Sequence, residues 1–596
     1  MRLQTSLPRQ WSRSPAPVAL VACVLTLLSG NAPAPARPVD HQLPAIVFVS
    51  RNGAPQGEIP GLGPHGRTLS PGGRLMIRDS SGGVRELVGA DRLFDASDPA
   101  VSWDARLVAF AGKASSDSAW RIYLVDLDGA NLRALTHTEP PPDLSWAGAA
   151  ARALEGADDF DPCWIGAHRL VFASTRWPLE SEYGDSRATN LYALDVHGGA
   201  PRRLTTERNG AEEPAYDPAT RRLVFSRWWF NRHRASNLDP SGITTDASRA
   251  VASDSVNLWQ LVSFDPASHD TRLAAGSPNV RAACMGYQPA MLPDRRIAAV
   301  FARHLGLSPS AGAVGIEIFG SVGHGSHRGV PAPARDAGDA AVRAAPDAVP
   351  FTIAAPRRLA GPAGEASSAD PYHEASGLAA PQACSPAALP DGRIVFAFDP
   401  GARGDFGLYV MRADGTGLTP LVDLPGTLEL DPSPVVLHAW PESALDLDRA
   451  ALGAAQPPHE IPPAPPEGAP SFRFHCLNLF ANAPMGSPIP RAPLPASDLS
   501  VRFFAALSRP AAAGGDTVVL LRTARVSPGG EIDVSGLPVD LPMFEQVVDA
   551  RGQMLTSESG PAHVAGFNAS APGERRCLGC HVGHSAIPVP AAAAAH

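Results

Sequence analysis

Charge is scarce in this chain. Only 18% of its 596 residues are Asp, Glu, Lys or Arg, and the net charge is −9. No basic excess marks a nucleic-acid-binding surface, whose usual footprint is a clustered positive patch. Aromatic residues make up only 6%. A Gly-x-Ser-x-Gly elbow is missing, which removes the simplest route to a serine hydrolase. Cysteine occurs seven times, at 23, 163, 284, 384, 476, 577 and 580, and only the last two form a Cys-x-x-Cys pair. A structural zinc site needs four ligands, and neither a second such pair nor a His-x3-His is present. The four cysteines from 163 to 476 are too widely spaced to define a disulfide framework.

Proline (62) and glycine (55) are abundant instead. Turn formers at this level favour many short strands over long helices. The length implies two to four domains. The N-terminus has the form of an export signal, assigned to residues 1–36. Arg2, Arg9 and Arg13 give it a positive start, Val18 to Leu28 is an apolar run, and Ala34-Pro35-Ala36 is a small-residue cleavage site. That run of eleven residues falls short of the ~20 that span a bilayer. The mature chain is therefore expected to be periplasmic or otherwise exported, with no transmembrane span. Lipidation at Cys23 is the lesser alternative, because the largely apolar run continues for five residues past that cysteine, to Leu28.

A repeated unit fills residues 37–440. It opens on an acidic or polar residue followed by Pro, and continues to Arg-(Leu/Ile)-hydrophobic-Phe. Clear copies join Asp98-Pro99 to Arg106–Phe110, Asp161-Pro162 to Arg169–Phe172, and Glu213-Pro214 to Arg222–Phe225. Weaker ones start at Gln288-Pro289 and Ser385-Pro386, and Asp431-Pro432 opens a sixth. Alternating segments such as Arg121–Asp126 and Leu408–Ala413 read as half-buried strands. Asp128-Gly129 and Asp414-Gly415 supply the positive φ of tight hairpins. Four strands per recurring unit is a propeller signature. The units resemble the propeller repeats of TolB, a WD40-like family. The expected fold is all-β, with a six-bladed (alternatively seven-bladed) propeller. Ala45–Ser50 is expected to close the ring by pairing near Ser433–Leu437. Two insertions, 228–256 and 303–350, interrupt the pattern; the second contains His324 and His327.

A Pro/Ala-rich linker at 441–470 has extended polyproline character. Short alternating strands over 471–572 suggest a small β-sandwich. A C-terminal segment, 573–596, carries Cys577-Leu578-Gly579-Cys580-His581. In Cys-x-x-Cys-His the two thiols add to the haem vinyl groups, and the adjacent His supplies the proximal nitrogen to iron. The expected cofactor is one covalent haem c, with Cys577, Cys580 and His581 as its protein ligands. The rival reading as a redox dithiol lacks the βαβ context such motifs occupy.

The approach to this motif adds a second resemblance. Leu541–Gly552, a strand running into Asp-x-x-Gly, followed by Pro572-Gly573-Glu574-Arg575-Arg576 and the motif, resembles the haem-bearing middle domain of the hydrazine synthase alpha subunit. Asp370-Pro371-Tyr372 and the propeller fit that layout. The resemblance implies architecture and one haem. A second haem domain of that subunit is expected to be missing here, since His596 lies fifteen residues past the motif, and hydrazine synthesis is not carried over. His475, Met543, Met554 and His563 are candidate sixth ligands, and a residue from the propeller is an equal alternative.

Three functions follow. The first is an exported monohaem cytochrome-like protein that transfers electrons, with the propeller as docking platform for a redox partner. The second is a haem-dependent oxidoreductase acting on a small molecule. The third is a non-catalytic TolB-like interaction protein.

Overall fold

The structure is a computed structural model. It describes residues 43–53, 70–137, 144–145, 147, 151–182, 186–231, 233–235, 243–245, 256–275, 285–302, 315–319, 357–358, 382–400, 404–439, 452, 457–458, 461, 466–480, 498–509, 517–552, 564–567 and 572–577. The export segment with Cys23, Cys284, His324, His327 and Asp370-Pro371-Tyr372 lie outside these residues.

The described chain is all-β apart from short helical turns such as Ala151–Leu154. No described helix is long and apolar enough to cross a membrane. Six sheets of four antiparallel strands occupy residues 46–434. Their innermost strands are Thr427–Pro434, Asp95–Val101, Asp159–Trp164, Gly210–Asp217, Met285–Met291 and Gln382–Ala388, for blades 1 to 6 in that order. Each innermost strand touches the next, and the sixth touches the first, so the sheets form a closed ring.

The Arg-Leu-Val-Phe segments are the second strands of their blades, such as Arg169–Ser174 and Arg222–Asn231. Both faces of such a strand are covered by neighbouring blades, which explains their near-continuous apolar sequence. Val171 of blade 3 shares one core cluster with Phe225 and Val262 of blade 4. Phe110, Phe172, Phe225 and Phe396 are all fully buried, each contributing about 1.5–3 kcal/mol by transfer from water.

The repeated acidic-Pro dipeptides have a second role that a repeat boundary does not reveal. Proline has no N–H to give the ladder. At each dipeptide the inner strand therefore bulges. Register shifts occur between Ser97 and Ala100, Phe160 and Cys163, Glu212 and Ala215, Tyr287 and Ala290, and Cys384 and Ala387. The residue before each proline takes a left-handed conformation. The φ values are 51° at Asp98, 50° at Asp161, 53° at Glu213, 50° at Gln288, 51° at Ser385 and 52° at Asp431. A bulge re-aims one side chain out of the pleat, and here six such side chains converge on the ring axis.

Ring closure joins the two ends of the propeller. Ile46–Asn52 pairs with Arg74–Arg78 on one side and Thr427–Pro434 on the other. The pairing starts further upstream than expected, at Thr427, and ends at Pro434. Beyond it only Val435 N–H reaches back, to Ala45 O at 2.8 Å, and Leu437 points into solvent with 76% exposure. Arg51 on the closing strand reaches into blade 2. It donates to Ser70 O (2.7 Å) and Ala96 O (2.9 Å) and pairs with Asp95 at 3.5 Å. Burial raises the Asp95 carboxyl and the Arg51 charge opposes that shift.

The sandwich follows. Ile532–Pro538, Ser471–Cys476 and Gly573–Cys577 form one sheet, and Thr517–Arg525, Ser500–Leu507, Met543–Val548 and Val564–Phe567 the other. Between them lie Phe472, Phe474, Cys476, Phe503, Ile532 and Val547. The same core takes in Trp177, Leu179 and Ala188 from a blade 3 loop. Arg203 sits over the Trp177 ring, 3.5 Å from its centroid, and pairs with Asp540 at 2.8 Å. Thr206 Oγ1 donates to Asp540 at 2.6 Å, and Glu180 N–H to Ser508 O at 3.1 Å.

Replacing Arg51 by Ala strands the buried Asp95 and unpins the closing strand. The expected loss is about 3–5 kcal/mol, read from the urea midpoint; an unchanged midpoint would show that closure does not depend on this pair.

Candidate functional site

Two places gather chemistry-bearing residues. The first is the strand leading to the Cys-x-x-Cys-His motif. Gly573–Cys577 is a member of the three-stranded sheet and runs parallel to Ser471–Cys476. The register sets Glu574 beside Arg473, Arg575 beside Phe474 and Cys577 beside Cys476. The outer side of this sheet is tied by charge. Arg473 pairs with Asp533, and with Glu574 at 3.3 Å. His475 Nε2 lies 2.9 Å from Glu531 Oε1. Asp549 caps the preceding turn, accepting from Arg551 N–H at 2.8 Å through its side chain and from Gly552 N–H at 2.9 Å through its carbonyl. Gly552 has the positive φ (76°) that this turn requires.

Cys580, His581, Met554 and His563 lie outside the described residues, and Cys577 is described at its backbone. Of the other candidate sixth ligands, His475 is engaged by Glu531 and Met543 packs inside the sandwich core. Cys163, Cys384 and Cys476 lie on strands and form no disulfide. Burial raises Cys163 to about 12 and pushes Cys384 higher still, so neither is a ready nucleophile.

Sequence reasoning missed a residue in the other sheet of the sandwich. Glu545 lies in Met543–Val548, whose six residues are all buried. It is in register with Phe503, and Phe503 meets Phe474 of the facing sheet edge-on, with centroids 5.3 Å apart. Strand alternation puts Met543, Glu545 and Val547 on one face, and the first and last belong to the sandwich core. Neither Glu545 oxygen completes a hydrogen bond. Burial pushes its carboxyl up to about 8. Its own backbone amide and the Arg208 and Arg227 guanidiniums pull the other way, and Cys476 is a further electrostatic neighbour. An unpaired buried polar group costs roughly 2–7 kcal/mol, so the fold alone gives no reason to keep this one. The available signal was an acid in the middle of an otherwise apolar segment, Met543-Phe544-Glu545-Gln546-Val547-Val548.

The second place is the propeller axis. Asp98, Asp161, Glu213, Gln288, Ser385 and Asp431, each with its proline, line a cavity of about 130 Å³. Neighbours around much of this ring are stitched together, Gln288 Nε2 donating to Glu213 Oε1 at 3.4 Å among them. Glu213 N–H donates to Asp161 at 3.0 Å, Ser385 N–H to Gln288 Oε1 at 2.8 Å, and Ser385 Oγ to Asp431 at 2.7 Å. Carboxylate oxygens of Asp98, Asp161 and Glu213 lie within 4.8 Å of one another. Four carboxylates around one opening make its potential negative, which favours cations at the mouth.

Comparisons with known proteins bear on the fold. No protein-family model matches the chain, and no curated protein sequence does. Among solved structures, hydrazine synthase of Kuenenia stuttgartiensis superposes with a TM-score of 0.57 at 17% identity, over 90% of this chain and 69% of that one. TolB from Acinetobacter baumannii is similar over 65% of this chain and 66% of its own, with a TM-score of 0.36 and 14% identity. The fold is that of the propeller proteins. The donor set Cys577, Cys580 and His581 fits a covalent haem. The first of these cysteines ends a strand anchored in a packed sheet, beside a sandwich interior that holds an orphaned acid.

The raised carboxyls dictate how stability varies with pH. A folded-state pKa above the ordinary value of 4.5 means that the folded chain holds its proton more tightly. Stability is then fully present below about pH 4.5 and is lost as pH rises through the folded value. Glu429, raised by burial to about 7, and Glu545, at about 8, both act in this direction. The melting temperature is expected to fall from pH 5 to pH 8.5, and Glu545→Gln should flatten the portion above pH 7. An equal slope in that variant would contradict the buried acid.

Proposed function

We propose that this chain is an exported monohaem c-type protein whose haem is carried by Cys577, Cys580 and His581 and serves electron transfer. The observation that carries the reading is the motif's attachment to structure. Its first cysteine ends a strand hydrogen-bonded into the sandwich, so a group fixed there would be held by a rigid sheet. The export-type N-terminus supports it, because this haem is attached outside the cytoplasm. The likeness in fold to a hydrazine synthase is compatible with a redox role.

The chemistry a bound haem supplies is reversible one-electron exchange at iron, at a potential set by the axial ligands and burial. The chain's own residues do the rest. The Cys577 and Cys580 thiols would hold the haem covalently, each adding its S–H across one vinyl group with no net oxidation. The His581 imidazole would supply a nitrogen ligand to the iron. The propeller offers a broad, rigid surface on which a protein redox partner can dock.

A second reading, a haem-dependent oxidoreductase acting on a small molecule, is favoured by the same fold likeness. The two differ in whether the iron keeps an accessible position.

Protein matured in a host competent for c-type haem attachment should give a pyridine haemochrome spectrum with one haem per chain. Cys577→Ala combined with Cys580→Ala should abolish haem retention on a denaturing gel. Absence of covalent haem in the unaltered protein refutes the proposal and leaves the TolB-like interaction role. Slow or absent carbon monoxide binding to the ferrous protein supports electron transfer; rapid binding supports the enzyme.

A further inference from the structure

Two histidines stand side by side at one end of blade 3. His168 closes the turn between Asp159–Trp164 and Arg169–Ser174, and His197 lies in the turn after Asn190–Asp195. The ladder explains their meeting. Arg169 is in register with Asp195, and the pairing runs one step past the strand ends, where Val196 N–H donates to His168 O at 2.8 Å. His197 follows at the next position. Its amide donates to Asp195 Oδ1 at 2.9 Å, and Arg133 donates to Val196 O at 3.3 Å. Both turns are thus fixed through their backbones. The imidazole centres lie 4.5 Å apart, with their planes inclined by 50°.

Packing gives no reason for this closeness. Both residues are exposed, and among the described residues neither ring is held by a hydrogen bond or an ion pair. The surroundings are open. Apart from chain neighbours, no heavy atom lies within 4 Å of where a Cβ would stand at Gly166, Gly198 or Gly199. Neutral imidazole is the commonest side-chain ligand for metal ions. With metal–nitrogen bonds of about 2.0–2.1 Å and each ring centre about 1.1 Å behind its nitrogen, two imidazoles on one ion have centres about 4.5 Å apart at a right angle and about 5.2 Å apart at the tetrahedral angle. The observed spacing is that of the right angle. Tetragonal sites with nitrogen and oxygen donors select copper(II) or nickel(II), and copper(II) is the more tightly held of the two.

We propose that His168 and His197 form a surface site for copper(II), each giving one ring nitrogen to adjacent positions around the ion. The exposed rings need only turn about their side-chain bonds to aim those nitrogens at a shared ion. Among the described residues no third acidic, cysteine or histidine side chain joins the pair. Water fills the other positions, and the ion exchanges with solvent. The site uses blade 3 alone and is independent of the haem reading.

The test is copper(II) binding to the full-length chain and to the double variant His168→Ala/His197→Ala, followed by calorimetry and electron paramagnetic resonance. The variant is expected to bind one copper fewer per chain. The difference spectrum between the two proteins should be a tetragonal copper signal coupled to two nitrogens. His197→Gln, which keeps a polar side chain in the turn, should lose the same signal. Since both rings are exposed, the metal-free melting temperatures should agree, which separates a lost site from a lost fold. Equal copper stoichiometry in the unaltered protein and the double variant would overturn the site. A difference signal carrying one nitrogen would refute the pairing of the two rings. Displacement of the paired copper by an equal amount of zinc would contradict the tetragonal assignment.

Discussion

The propeller depends on one long-range pairing. Ile46–Asn52 is held between its own hairpin partner and Thr427–Pro434, and Ser50 reaches Glu429 at 3.4 Å across 379 residues of sequence. Until those ends meet, blade 1 lacks its innermost strand and the sixth blade has no neighbour on one side. Unpaired sheet edges invite foreign strands, and contacts this distant in sequence are slow to form. Buried charges reinforce the closure. Arg51 ties the closing strand to blade 2, while Glu429, Thr427 and the Leu424 amide form a small polar knot in blade 1.

The ring in turn positions the sandwich. Blade 3 contributes Trp177 and Leu179 to the sandwich core and Arg203 and Thr206 to Asp540. The guanidinium is thus used twice, over the indole and against the carboxylate. Such an apolar anchor with charge at its side makes the propeller the fourth wall of the sandwich. The strand that ends in Cys577 belongs to this assembly through its parallel partner, so the motif's setting is built from elements about a hundred residues apart.

Much of the fold was legible because its signals are local. The Leu-Val-x-Phe runs announced strands covered on both faces, and Asp128-Gly129 and Asp414-Gly415 announced hairpins; both glycines have positive φ, 92° and 84°. The acidic-Pro dipeptides announced the repeat, but their bulges and their meeting at the axis depend on closure of the ring, which no single unit encodes. Pairings such as Arg203 with Asp540 join residues 337 apart, beyond any local pattern. Glu545 was hidden differently. In an alternating strand a lone acid reads as the solvent side, and only the packing of both faces of Met543–Val548 reveals that it has no solvent to meet. The spacing of Cys577, Cys580 and His581 was plain in the sequence because a motif of five consecutive residues is a local pattern.

The shared blade also constrains inheritance. Blades 2 to 6 are contiguous pieces of sequence, and a duplication or loss of one of them is a single cut. Blade 1 is assembled from residues 46–88 and 427–434, so any recombination between these two stretches that brings in only one of them yields an open chain of blades. The propeller can therefore pass from one gene to another as a whole or grow from within, and its two ends must travel together.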